Sequence, residues 1–147
     1  MPRSVSWRRR LLLPALILIV GAVLAVWAAQ RENRRIEAIE RLATDLCQSA
    51  AAGADLIGRV PAADPLLARQ IAPVLKRICE PLKDNPQSLE VIALLGDAPG
   101  ISDGSATHHA IIRIAGADRL TLRLIFENDN PLIVGYALPA APDTPAD

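Results

Sequence analysis

Two histidines, two cysteines, one glycine-bearing loop and a set of arginines are the residues here whose types and spacing invite chemistry. His108 and His109 are adjacent in a segment that reads as a strand, where neighbours point to opposite faces. They cannot grip one metal ion as histidines four apart on a helix do. Ser102 and Asp103 lie just before them, so a base and its orienter can be drawn. A strand-end histidine reaching solvent is the plainer reading. Cys47 and Cys79 lack C-x-x-C spacing and would need two further ligands to hold zinc. In an oxidising compartment an isolated pair is most simply a disulfide; the alternative is two buried thiols. Gly96-Asp97-Ala98-Pro99-Gly100 resembles a phosphate loop only in its glycines: no Lys or Ser/Thr follows at the required distance and no helix begins there.

Arg113, Arg119 and Arg123, with His109, fall on one face of two successive strands. The bland outcome for that face is solvation. The sharper one is a contact surface for an acidic partner, or the wall of a groove for a small anion. No paired carboxylates share a strand face and no serine sits in a glycine-flanked elbow. The reading is therefore non-catalytic, with no cofactor and no metal.

Those side chains depend on a segment with no chemistry at all. Leu11 to Ala29, LLLPALILIVGAVLAVWAA, runs nineteen residues without a charge. As a helix it is about 28 Å long, close to the ~30 Å hydrocarbon thickness of a bilayer. Trp7 and Trp27 bracket it and suit the two membrane interfaces. Pro14 is expected in the first turn, where its missing N–H costs little. Arg3, Arg8, Arg9 and Arg10 precede the run with no acid among them. Arg31, Arg34, Arg35 and Arg41 follow it, so by the positive-inside count alone the flanks are nearly tied. The compact block at 8–10, abutting the run on a tail of ten residues, is read as cytosolic. That puts everything after 29 outside the cell's inner (plasma) membrane, in the periplasm or its equivalent. A cleaved signal peptide ending near Ala28 is the competing reading, but the apolar run is longer than a usual h-region and Trp27 crowds the site.

The chain has 147 residues, with 16 basic and 16 acidic side chains. Because the first thirty positions carry arginines and no acid, the remainder is mildly acidic. Its basic residues are scattered, which excludes a nucleic-acid binder built on clustered phosphate contacts. Aromatic residues make up 3%, so no stacking platform is available and the core must be aliphatic.

Helix 30–57 follows. Ile36, Ile39, Ala43, Leu46, Ala50, Gly53 and Ile57 make one apolar stripe. It serves either to pack on its own domain or, as a weak coiled-coil seam, to make a homodimer. Gly58 and Pro61 are expected to stop this helix. Asp64-Pro65 reads as N-cap and N1 of a second helix, which Pro73 should kink or split near Ala72 and which should end around Glu80-Pro81. A helical hairpin of this kind lets Cys47 and Cys79 face its interior. The period then changes to two. Strands are expected at 88–95, 105–115, 119–127 and 132–138, with turns at 115–118 and 128–131. In the third, Leu120, Leu122, Leu124 and Phe126 point in while Arg119, Thr121, Arg123 and Glu127 point out, so it should be central. Residues 140–147, rich in Pro, Ala and Asp, are expected to be disordered.

The expected architecture is α+β: a transmembrane helix at 11–29, then a domain at 30–139 in which a two-helix hairpin packs on a four-stranded antiparallel sheet. This order of helices and then strands resembles NTF2-like and cystatin-like domains, a resemblance of element order that implies a curved sheet able to hold a small ligand. The expected function is a single-pass, membrane-anchored extracytoplasmic interaction module, an accessory or assembly subunit of a cell-envelope complex. Its partners are then the lipid bilayer and a membrane or envelope protein. A tethered small-ligand-binding domain is the alternative.

Overall fold

The computed structural model describes residues 6–96 and 108–139. Two compact units make up the chain, residues 1–34 and 35–147. The expected loop after Gly96, most of the segment before His108 and the tail from 140 lie outside the described residues.

Helix α1 (Ser6–Ala51) contributes to both units as one unbroken element. In the first unit the described apolar side chains are exposed: from Leu12 to Trp27 the large ones range from 50% exposed at Val20 to 73% at Leu18. Mean hydropathy reaches 2.6 over an 18-residue window with no burial inside the protein. The helix is long and apolar enough to cross a membrane. Because α1 starts at Ser6, Pro14 is interior and not in a first turn. The ring leaves the carbonyl of residue 10 without its helical partner.

In the second unit the α1 stripe is consumed internally. Ile39, Ala43, Leu46, Cys47 and Ala50 are buried in the core. A homodimer through 30–57 would therefore have to use the other side of the helix, where Glu37, Glu40, Arg41 and Asp45 are exposed. The helix ends at Ala51, not Ile57. Gly53 takes φ of 77°, its N–H donates to the Ala50 carbonyl, and the Ala54 N–H donates to that of Ser49. This is the Schellman closure that a glycine at C′ permits, so Gly53 caps the helix and Gly58 does not. Beyond it Leu56 and Val60 turn back into the core.

Helix α2 (Pro65–Cys79) begins as expected: Asp64 Oδ1 accepts from the Leu66 N–H at 2.9 Å, with Pro65 at N1. It continues through Pro73 without splitting. Pro73 and Arg69 both lie on the exposed side, so the Arg69 carbonyl that loses its partner can be served by water. The buried face (Ala68, Ile71, Leu75, Ile78) has no such gap. Cys79 meets Cys47 in a disulfide with Cα atoms 5.3 Å apart. Two short 3-10 turns, Glu80–Lys83 and Pro86–Ser88, lead into the sheet.

The sheet is an antiparallel meander in the order β1 (Leu89–Leu94), β2 (His108–Ile114), β3 (Leu120–Glu127), β4 (Asn130–Ala137). β3 is central, as its alternation implies. Its inward residues Leu120, Leu122 and Leu124 are fully buried in one cluster with Ile39, Leu75 and Ile112. Asn128 and Asp129 both adopt positive φ, which makes the two-residue β3–β4 hairpin. β4 starts at Asn130, earlier than expected, because Pro131 is tolerated on an edge strand. Its outer edge is partly closed: the Ile133 N–H donates to the Pro61 carbonyl at 2.7 Å, and the Ala63 N–H donates to the Ile133 carbonyl at 2.9 Å.

Candidate interaction surface

The helical hairpin covers one face of the sheet, and the residues singled out for function lie on the other. The pairing sets that outer face out in rows. At one end Glu90 of β1 is opposite Arg113 of β2, with 3.9 Å between their charged groups. Both side chains are at least half exposed, so the pair contributes little to stability. The β2–β3 register, with Ile112 opposite Leu120, brings exposed Arg119 to the next rung beside Arg113, at the rim of the turn. Next comes a row of Ile92, Ile111, Thr121 and Ala137, then one of Leu94, His109, Arg123 and Gly135. Ile125 and Leu132 follow.

The four predicted surface residues thus form two pairs. Arg113 and His109 are four positions apart on one strand, about 13 Å at strand rise. Arg113 and Arg119 are exposed at the rim. Arg123 is half-buried, its stem lying over Gly135: a Cβ built there would sit 3.6 Å from Arg123 Cδ. A β-bulge between Arg123 and Leu124 shifts the register at this point.

His109 does not reach solvent. It has no exposed surface, and its Nδ1 lies 2.9 Å from the Gly96 carbonyl oxygen. A carbonyl only accepts, so Nδ1–H donates. Nε2 is buried with no hydrogen-bond partner among the described residues. Its register neighbours are Leu94 and Arg123, and among the described residues no group of three or more metal-ligating side chains exists. His109 therefore anchors the end of β1 through Gly96, and it presents no group to a partner.

Two features escaped the sequence reading. The outer face is more apolar than a solvated face should be: Ile92, Leu94, Ile111, Ile125 and Leu132 are all only half-buried there. Its signal was present in consecutive apolar residues, Ile111-Ile112 and Leu124-Ile125-Phe126, which break strict alternation. The second feature is a clamp at the start of the domain. The Arg35 guanidinium lies 4.9 Å from the Phe126 ring centroid and 3.5 Å from Asp129 Oδ1. Phe126 in turn meets His108 edge-to-face at 5.1 Å on the inner face. A cation over a ring contributes about 0.5–1 kcal/mol at a partly exposed site, and the ion pair adds a few tenths at most. Arg35→Ala is therefore expected to cost about 1 kcal/mol in thermal unfolding of the full chain, and Arg35→Lys less. An unchanged melting temperature in both would show that the clamp contributes nothing.

No family model, curated protein or solved structure matches this chain.

Proposed function

We propose that the protein is a single-pass, membrane-anchored interaction module, non-catalytic, whose domain stands outside the inner membrane and serves as an accessory or assembly subunit of a cell-envelope complex. The observation that carries this reading is the pairing of an apolar helix buried by nothing in its own chain with a domain whose outer sheet face is half apolar. The topology rests on Arg8, Arg9 and Arg10 before the apolar run. Trp27 supports an interface at its far end: the Arg31 guanidinium sits 5.7 Å from the ring centroid, a pairing suited to the headgroup layer. The disulfide between Cys47 and Cys79 fits an oxidising compartment. A partner is favoured over a small ligand because the inner sheet face is filled: Ile112, Leu120, Leu122, Leu124 and Ile133 have no exposed surface.

Two measurements test this. A reporter that works only outside the cytosol, fused after Asp147, should be active, and the mature protein should keep its N-terminal helix in the membrane fraction. Activity of a cytosol-only reporter, or a mature N-terminus near Ala29, would overturn the topology or the anchor. Affinity purification from detergent should recover an envelope protein from wild type and lose it with Ile111→Asp or Arg123→Ala, at an unchanged melting temperature for Arg123→Ala. Retention of the same partner by both variants would remove the outer face from the reading.

A further inference from the structure

The two edges of the sheet are not alike. The β4 edge carries Pro131 and is bonded to the strap at Pro61–Ala63. The β1 edge has no partner strand among the described residues. Proteins usually blunt a free edge with Lys, Pro, a bulge or a charge. β1, Leu-Glu-Val-Ile-Ala-Leu, has only Glu90. Its inner residues Leu89, Val91 and Ala93 pack on the core and stay half-buried. Its outer residues Ile92 and Leu94 are half-buried too. Apart from Glu90, the strand carries none of the Lys, Pro or bulge that would blunt an edge, and it stands at one among the described residues.

We infer that β1 is a strand-addition site: an extended segment of a partner protein completes the sheet there, apolar on both faces and bearing a Lys or Arg at the outward position that meets Glu90. A strand edge with no partner among the described residues is matched by an extended strand. Its charge is set by Glu90, whose carboxylate is more than half exposed and only loosely engaged by Arg113 at 3.9 Å; a closer base on the other side can take it. A second copy of this chain fits worse, since its β1 brings another Glu90 and no base. The inference rests on reading the domain as an interaction module and names the part of it that binds.

The test uses the full chain in detergent and, as probe, a labelled synthetic peptide with the sequence of β2, His-His-Ala-Ile-Ile-Arg-Ile. That sequence already pairs with β1 and sets an arginine opposite Glu90. Fluorescence anisotropy should show binding that falls roughly fivefold or more when the peptide arginine becomes glutamate, a like charge across strands being unfavourable. In Glu90→Lys the preference should invert. Alternate backbone N-methylation of the peptide should abolish binding, because only strand addition needs those N–H groups. Binding indifferent to N-methylation or to residue 90 would overturn the inference. So would efficient homodimer cross-linking through Ile92→Cys in membranes, which would put a second copy on the edge. If Glu90→Lys keeps the envelope partner and no β2 peptide binds, the β1 site fails while the outer-face reading stands.

Discussion

Leu122→Ala and Leu124→Ala are each expected to cost about 2–5 kcal/mol, enough to unfold much of a domain whose total stability is of order 5–15 kcal/mol. Both leucines have no exposed surface. Leu122 lies between Ala110 and Tyr136 in register, and Leu124 between His108 and Ile133. Strands on both sides and helices above keep the walls from collapsing into the space the alanine leaves. Each variant therefore loses both transfer energy and packing. Thermal unfolding by circular dichroism should show a fall in melting temperature of roughly 10 °C or more. Thr121→Ala on the opposite face of the same strand should stay within about 0.5 kcal/mol. Harmless leucine substitutions would mean that the buried and open faces of the sheet are the reverse of those described.

This expectation was legible in the sequence because β3 alternates cleanly, and alternation reports one buried face directly. The order of helices and strands, the Asp64-Pro65 helix start and the Asn128-Asp129 turn were legible for the same reason: each is set within a few residues. The stop of α1 was not. Gly53 fits the apolar stripe by spacing and fits a cap by conformation, and periodicity cannot separate the two. The bonds from Gly53 and Ala54 back to Ala50 and Ser49 decide for the cap. Pro73 was expected to kink or split α2; it does not split it, because the missing bond falls on the solvent side, where it is cheap.

The candidate surface was legible in part. Arg113 and Arg119 are exposed at the turn rim as the alternation implies. His109 was assigned to the right face and the wrong environment, because a face label says nothing of the Gly96 carbonyl that binds its ring. Arg35 and Asp129 are 94 positions apart, and no local pattern announces such a meeting. The apolar character of the outer face was written in adjacent isoleucines, which an expectation of clean alternation passes over.

Removing the disulfide is the other large effect. The cysteines are 32 residues apart, and closing a loop of that size stabilises by about 3–4 kcal/mol in the chain-entropy model. Cys47 and Cys79 are both fully buried, so the Cys47→Ala/Cys79→Ala variant is a cleaner test than serine, whose hydroxyl would be left unsatisfied at a further cost of about 1–3 kcal/mol. The double variant should melt well below wild type, and wild type unfolded in reductant should refold to the same reduced stability. Free thiols titrating in the denatured, unreduced protein would sink the disulfide itself. The closed loop contains more than two helix ends. It also holds the strap at Pro61–Ala63, whose Pro61 carbonyl accepts from the Ile133 N–H. Freed at both ends, that strap gains entropy on opening. The Ile133 amide should therefore exchange with solvent faster in the double variant, out of proportion to amides of the β2–β3 ladder. Equal acceleration across the sheet would mean that the bond acts only on the unfolded chain. Selective loss at Ile133 would mean that the disulfide also holds shut the β4 edge, which leaves β1 as the edge without a partner strand among the described residues.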